Sequence, residues 1–212
     1  LYEGSFSMYF KHVPNIVKPL AKDLIFDLPN EDQNLFLTFD DGPHPEITPW
    51  VMDELDRFDA KATFFLIGKN VVEYPELLEE LLERGHAIGN HSHSHKSGWK
   101  TANTDYFSDV EACANHVQST LFRPPYGEIS RSQSVHLKKE YKIILWSDLS
   151  ADFDAAYTAD DCVRFATSKV KSGSIVVFHD SEKAWPRLEA ALPRCLEYYS
   201  SKRLKMAPIH LY

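Results

Sequence analysis

Five short apolar runs that each end on ionisable residues constrain this chain more than any other feature. "NLFLTF" leads into Asp40 and Asp41, "HAIGN" into His91, "LF" into Arg123, "KIILWS" into Asp148, and "SIVVF" into His179 and Asp180. Helix-like stretches at 45–58, 75–85, 105–119, 131–140, 158–171 and 186–200 separate the runs. With "ATFFLI" (62–67) and a weaker run near "LKMAPI" (204–209), the chain reads strand, helix, strand, helix. Near-continuous apolar strands in such an alternation form a parallel sheet covered by helices. About seven βα units are too many for a small open sheet and approach an α/β barrel. In such folds the loops after the strands open at one face, so the distant ionisable residues should converge there.

The 212 residues suffice for one sizeable core. A first segment, 1–34, is expected to pack on the barrel, with a short helix in "VPNIVKPLAKD" and a strand in "LIFDLP"; residues 35–212 form the main domain. The formal net charge of −8 argues against a nucleic-acid partner, which needs a basic face. No apolar stretch is long enough to cross a bilayer. The chain begins at Leu1, so an upstream piece is expected to be missing and the compartment is not readable; a monomer is expected. Cys113, Cys162 and Cys195 are widely spaced, which predicts buried free thiols.

Two adjacent carboxylates at the end of a buried strand repel each other unless a cation, a metal or a shared proton compensates them. "HSHSH" supplies a candidate: His91 and His95 share a face if the segment turns helically. With one carboxylate, Asp41 or Asp40, they make a three-ligand site that leaves a position open for water. The other aspartate would stay free as a base beside a cation such as Arg123. His93 alternates with the two ligands and is not expected to join them; His12, His44, His86, His116, His136 and His210 read as structural or exposed. Asp180 reads as a helix N-cap, because "SEKAW" follows it.

"TFDDGP", "HSHSH", "RPPYG", "WSDLSADF" and "VVFHD", in this order, closely resemble the polysaccharide deacetylase family, the NodB-homology or carbohydrate esterase family 4 domain. The resemblance implies a deformed (β/α) barrel of about seven strands. It implies a hydrolase that removes acetyl groups from an N-acetylated glycan such as peptidoglycan, chitin oligomers or an exopolysaccharide. An O-acetyl esterase on xylan and a non-catalytic glycan-binding barrel are the alternatives. Asp40 takes the place of the general base, with Asp41, His91 and His95 as ligands of a divalent metal, Zn2+ before Co2+, Ni2+ or Mn2+. Arg123 corresponds to the residue that orients the base, and His179 to the general acid. Tyr126, after Pro125, offers its backbone N–H to the oxyanion, and Val177 lines the acetyl-methyl pocket. The fourth motif departs from the family pattern. Leu149 stands where a first Asp is usual, Asp152 keeps the second Asp, which implies a contact with Arg123, and Phe153 keeps an apolar wall. Asp148 is a candidate substitute for the missing carboxylate. Trp185 is placed at the rim of a sugar groove, with a loop anchor as the plainer role. By resemblance, association with the cell envelope is possible.

Overall fold

The computed structural model describes residues 10–14, 16 and 21–211. Its strands are β1 (Leu24–Ile25), β2 (Asn34–Asp40), β3 (Thr63–Leu66), β4 (Ala87–Asn90), β5 (Leu121–Phe122), β6 (Lys142–Ile144), β7 (Asp148–Leu149), β8 (Ile175–His179) and β9 (Lys205–Met206). Its helices are α1 (Ile47–Asp56), α2 (Gly68–Glu73), α3 (Pro75–Glu83), α4 (Asn103–Ala114), α5 (Arg131–Leu137), α6 (Ala159–Thr167) and α7 (Trp185–Ser201). The strands lie in the order β1-β6-β5-β4-β3-β2-β8-β7, with β9 beside the start of β2, and their ladders are parallel. This is the expected parallel, deformed barrel, with two-residue strands β1 and β7 at its open edges.

Residues ahead of β1 lie along the β7 edge. Leu149 N–H donates to Lys11 O at 2.8 Å and Val13 N–H to Ser147 O at 3.0 Å, so main-chain pairing continues past the last strand. The first segment thus touches both edges, with β1 on β6 and residues 11–13 on β7. Much of its expected helix lies outside the described residues.

The period of two along a strand sorts the side chains. Leu35, Leu37 and Phe39 of β2 join Val176 and Phe178 of β8 in the core beneath the helices. The alternate residues Phe36, Thr38 and Asp40 take the other face. Phe36 packs with Phe65, Leu121, Ile144 and Ile175 deep in the barrel. Register then fixes the upper end, with Asp40 opposite His179 and Asn90 opposite Phe122. His91 and Arg123, one step further on, are therefore neighbours.

Local signals set the helix ends. In α3, Pro75 opens the first turn with Glu76 behind it, and Gly85 at φ +79 follows the end. Ser130 with Gln133, and Thr158 with Asp161, form capping boxes for α5 and α6. α6 stops at Thr167, short of the expected residue 171. α2 was not foreseen; it has no capping side chain and begins on glycine. All three cysteines are free and buried.

Candidate active site

Asp40 ends β2 inside the barrel, where its Oδ1 accepts from Arg123 Nη1 at 2.7 Å. The Arg123 side chain has no exposed surface. Its Nη1 also donates to Thr38 Oγ1 at 2.7 Å, its Nε to Ile144 O at 3.2 Å and its Nη2 to Leu145 O at 3.0 Å. The guanidinium lies 4.1 Å from the centre of the Phe65 ring. Phe65 in turn needs Gly89, where a Cβ would stand 2.4 Å from the ring. Burial pushes the guanidinium pKa down, and the charge and hydrogen bond of Asp40 oppose it. Asp40 Oδ2 lies 4.0 Å from His91 Nε2.

Asp41 turns back at φ +80, held by Asn70 Nδ2 on its carbonyl at 2.8 Å. Its Oδ1 is 3.2 Å from His95 Nε2 and 3.7 Å from His91 Nε2. His91 Nδ1 meets Arg123 O at 2.8 Å, so it carries the proton and the Nε2 lone pair faces Asp41. Burial lowers the His91 pKa to about 4, which keeps the imidazole neutral, the form that ligates. Burial would raise Asp41, but the His95 hydrogen bond and the nearby histidine charges outweigh it and hold the carboxyl well below its usual range. One ligand atom from each of Asp41, His91 and His95 lies within 4.8 Å of the others. Ligands at about 2.1 Å around a tetrahedral ion stand about 3.4 Å apart, so two nitrogens and an oxygen at these separations fit a divalent metal.

His91 and His95 do not reach this arrangement by a helical turn. Residues 91–95 form an irregular loop with Ser92 at φ +61 and His95 at φ +57. His93 points elsewhere, near Gly68 and 6.1 Å from the His116 ring.

His179 ends β8. Its Nδ1 meets Asp152 Oδ1 at 2.8 Å and its backbone N–H donates to Asp152 Oδ2 at 2.9 Å. This corrects the sequence expectation: Asp152 holds His179 and does not contact Arg123. The absence of a carboxylate at 149 therefore leaves His179 with a partner, and Asp148 is not that partner. It binds His12 Nδ1 at 2.7 Å instead. Leu149 is buried with Trp146 and Val177. Burial would lower the His179 pKa, but the Asp152 charge and hydrogen bond, with Asp41 and Asp40, outweigh it and raise it to about 9. Phe153 stands edge-on to the His179 ring, centroids 4.9 Å apart.

Tyr126 is 59% exposed at φ +62, its ring 4.5 Å from His95. Pro125 and Val177, expected to line the substrate site, are both buried. Pro125 is buried in the turn that presents Tyr126, and Val177 is fully buried in the barrel below His179. Trp185 is half-buried at the start of α7, edge-on to Trp50, and lines a shallow hollow of about 280 Å³ with His44, Glu46, Ile47 and Glu182. Asp180 caps no helix; α7 begins after Ala184. It has no exposed surface, and burial pushes its carboxyl up to about 8. Its reach toward the Asp41 loop was missed, because an Asp after a strand reads the same whether it caps or is buried.

The sequence profile of the polysaccharide deacetylase family matches residues 27–143. A peptidoglycan-N-acetylglucosamine deacetylase of Bacillus cereus is 33% identical over 81% of this chain and 84% of its own length. A chitooligosaccharide deacetylase of Azorhizobium caulinodans is 33% identical over 69% of this chain and 73% of its own. Of some longer peptidoglycan deacetylases the chain spans only 59% or 33%. The crystal structure of a peptidoglycan N-acetylglucosamine deacetylase bound to a naphthyl N-hydroxybenzamide superposes with a TM-score of 0.79 at 26% identity, covering 91% of this chain and 95% of that one. In sequence and in fold, this chain belongs to the polysaccharide deacetylase family.

Proposed function

We propose that the chain is a metal-dependent hydrolase that removes the N-acetyl group from a sugar of an N-acetylated glycan. Peptidoglycan and chitin oligomers are the leading substrates, since relatives at about one-third identity are named for them. The observation that carries the reading is a carboxylate and an imidazole, Asp40 and His179, each with its own fixed partner, on paired strands beside Asp41, His91 and His95, whose ligand atoms lie close enough to hold a metal.

Asp41, His91 and His95 would hold the metal, with Zn2+ the best match to two imidazoles and one carboxylate. The ion supplies Lewis acidity to the acetyl carbonyl and to the attacking water. Asp40, pinned through Oδ1 by Arg123, takes the proton from that water. The Tyr126 N–H donates to the oxygen as negative charge gathers on it. An amide nitrogen leaves only when protonated, and His179, an imidazolium at neutral pH, gives it the proton. Asp152 fixes the ring by its bond to Nδ1, so Nε2 carries the proton that is transferred. Phe153 walls the site beside that ring, and Trp185 offers an aromatic face at the rim. The acetyl group departs as acetate, leaving a free amino sugar.

An ester needs far less protonation of its leaving group than an amide. The strong support for His179 therefore favours the amide reading over xylan O-acetyl hydrolysis. The test is acetate release from N-acetylglucosamine oligomers, peptidoglycan and acetylated xylan, with chelated protein and after Zn2+ or Co2+ is restored. Metal-restored release from an amide substrate supports the proposal. Release from xylan alone overturns it.

A further inference from the structure

The residue after the proposed acid takes no part in that mechanism, yet it is built into the loop that carries the base and a metal ligand. Asp180 is fully buried. Its backbone N–H donates to Asp40 O at 3.1 Å. Its Oδ2 accepts from Thr48 Oγ1 at 2.5 Å, and the same hydroxyl accepts from His44 N–H at 2.8 Å. Its carboxyl lies flat against Gly42, where a Cβ would stand 2.1 Å from Oδ2. Asp180 Oδ1 has no hydrogen-bond partner among the described residues. A buried carboxyl with one idle oxygen is costly, and a hydrophobic residue would fill the space at less cost.

The contacts have a clear direction. Gly42 and His44 follow Asp41 on the β2 loop, and Thr48 lies in the first turn of α1. Asp180 follows His179 at the end of β8. The carboxyl therefore ties three points of the base-and-metal loop to the residue next to the acid. Ser181 adds a longer contact, its Oγ 3.5 Å from Asp41 Oδ2. The ladder between β2 and β8 ends at the Asp40–His179 pair. Beyond it the two loops meet through the Asp180 N–H to Asp40 O bond, these side-chain contacts and the more exposed His44–Glu182 pair, 3.6 Å apart.

We propose that Asp180, through Thr48 and the open face of Gly42, is a positioning residue that sets the separation between the Asp40–Asp41 loop and His179. This rests on the deacetylase reading for its kinetic test, but not for its spectroscopic one. The variant to make is Thr48→Val, which keeps the shape and removes the hydroxyl. With Zn2+ restored, kcat is expected to fall about 10- to 100-fold, the cost of misplacing reacting groups by about 1 Å. KM should change little, and Thr48→Ser should recover most of kcat. In Co2+-loaded protein, Thr48→Val should alter the visible absorption of the ion and Thr48→Ser should not. Asp180→Asn, measured alongside, should lower kcat in the same way, because it disturbs the same joint. If folded Thr48→Val and Asp180→Asn keep wild-type kcat and an unchanged Co2+ spectrum, losing only thermal stability, the pair is structural and the proposal fails. If the wild type releases no acetate while the Co2+ spectrum still responds to Thr48→Val, the function reading fails and the positioning role stands.

Discussion

Asp40 and Arg123 meet inside the barrel, where the guanidinium has no exposed surface, whereas His179 and Asp152 meet nearer the mouth, where the imidazole side chain keeps 13% of its surface open. Both are carboxylate–cation pairs with contacts of 2.7 and 2.8 Å, and they differ in what surrounds them. Arg123 also donates to Thr38 and to the carbonyls of Ile144 and Leu145 at the end of β6, so the proposed base is held by the sheet itself. Asp152 sits on a loop, steadied by Arg187 on its carbonyl and by Ala151 at φ +60. The inner pair belongs to the fold as much as to the chemistry. The outer pair can be altered without taking the barrel apart.

Cutting the inner pair should separate the two most. Arg123→Met leaves Asp40 as an unpaired buried charge, so it should lower stability by about 3–5 kcal/mol and remove activity together. Chemical denaturation beside acetate release checks this, and a well-folded, active Arg123→Met protein would place Arg123 outside both roles. Asp40→Asn comes next. General-base catalysis is worth about 100- to 10,000-fold, so turnover should drop by that order while metal stoichiometry holds. His91→Ala, by contrast, should lose metal and turnover together.

Asp152→Asn tests the outer pair. His179 is raised above its ordinary value chiefly by Asp152, so loss of that charge should move the alkaline limb of the activity profile to lower pH. A cation beside Asp41 lowers both limbs, so the difference between the two proteins is the quantity to read. Stability should respond with the opposite sign from a buried neutral histidine. A raised His179 stabilises the fold below about pH 6.5, and that contribution is lost as pH rises through about 9.

His86 lies away from the site, so it bears on stability and not on turnover. Burial lowers it to about 4, and its Nδ1 accepts from Ala62 N–H, so it folds neutral. The stability tied to it is present above pH 6.5 and lost as pH falls toward 4, on the order of 3 kcal/mol in all. Denaturant midpoints of wild type and His86→Gln across that range should converge toward pH 4.

The convergence of Asp40, Asp41, His91, Arg123 and His179 was legible because strand period and parallel order leave little freedom at a strand end. What happens in loops was not. "WSDLSADF" gives no sign that Asp152 folds back to His179, because the reversal depends on the left-handed backbone at Ala151, a residue without a turn signature. Likewise the helical spacing of His91 and His95 was a coincidence, since two left-handed residues fold that loop. The depth of Val177 was hidden by the same alternation that revealed Asp40. Period two gives the face of a residue but not whether Leu149 of the neighbouring β7 and Trp146 cover it.

Asp41, Ser92, His95, Tyr126 and Ala151 all hold positive φ without being glycine. Each such residue costs on the order of 1 kcal/mol relative to an ordinary backbone, so the rim of the site is a ring of stored tension. A selection for heat tolerance alone would relax that ring, replacing these residues with glycine one at a time. The same selection would also reach Gln33, Asp59 and Arg203, which hold positive φ away from the site. Only the replacements at the rim would cost activity, so the sites where a higher melting point came with slower work would outline it.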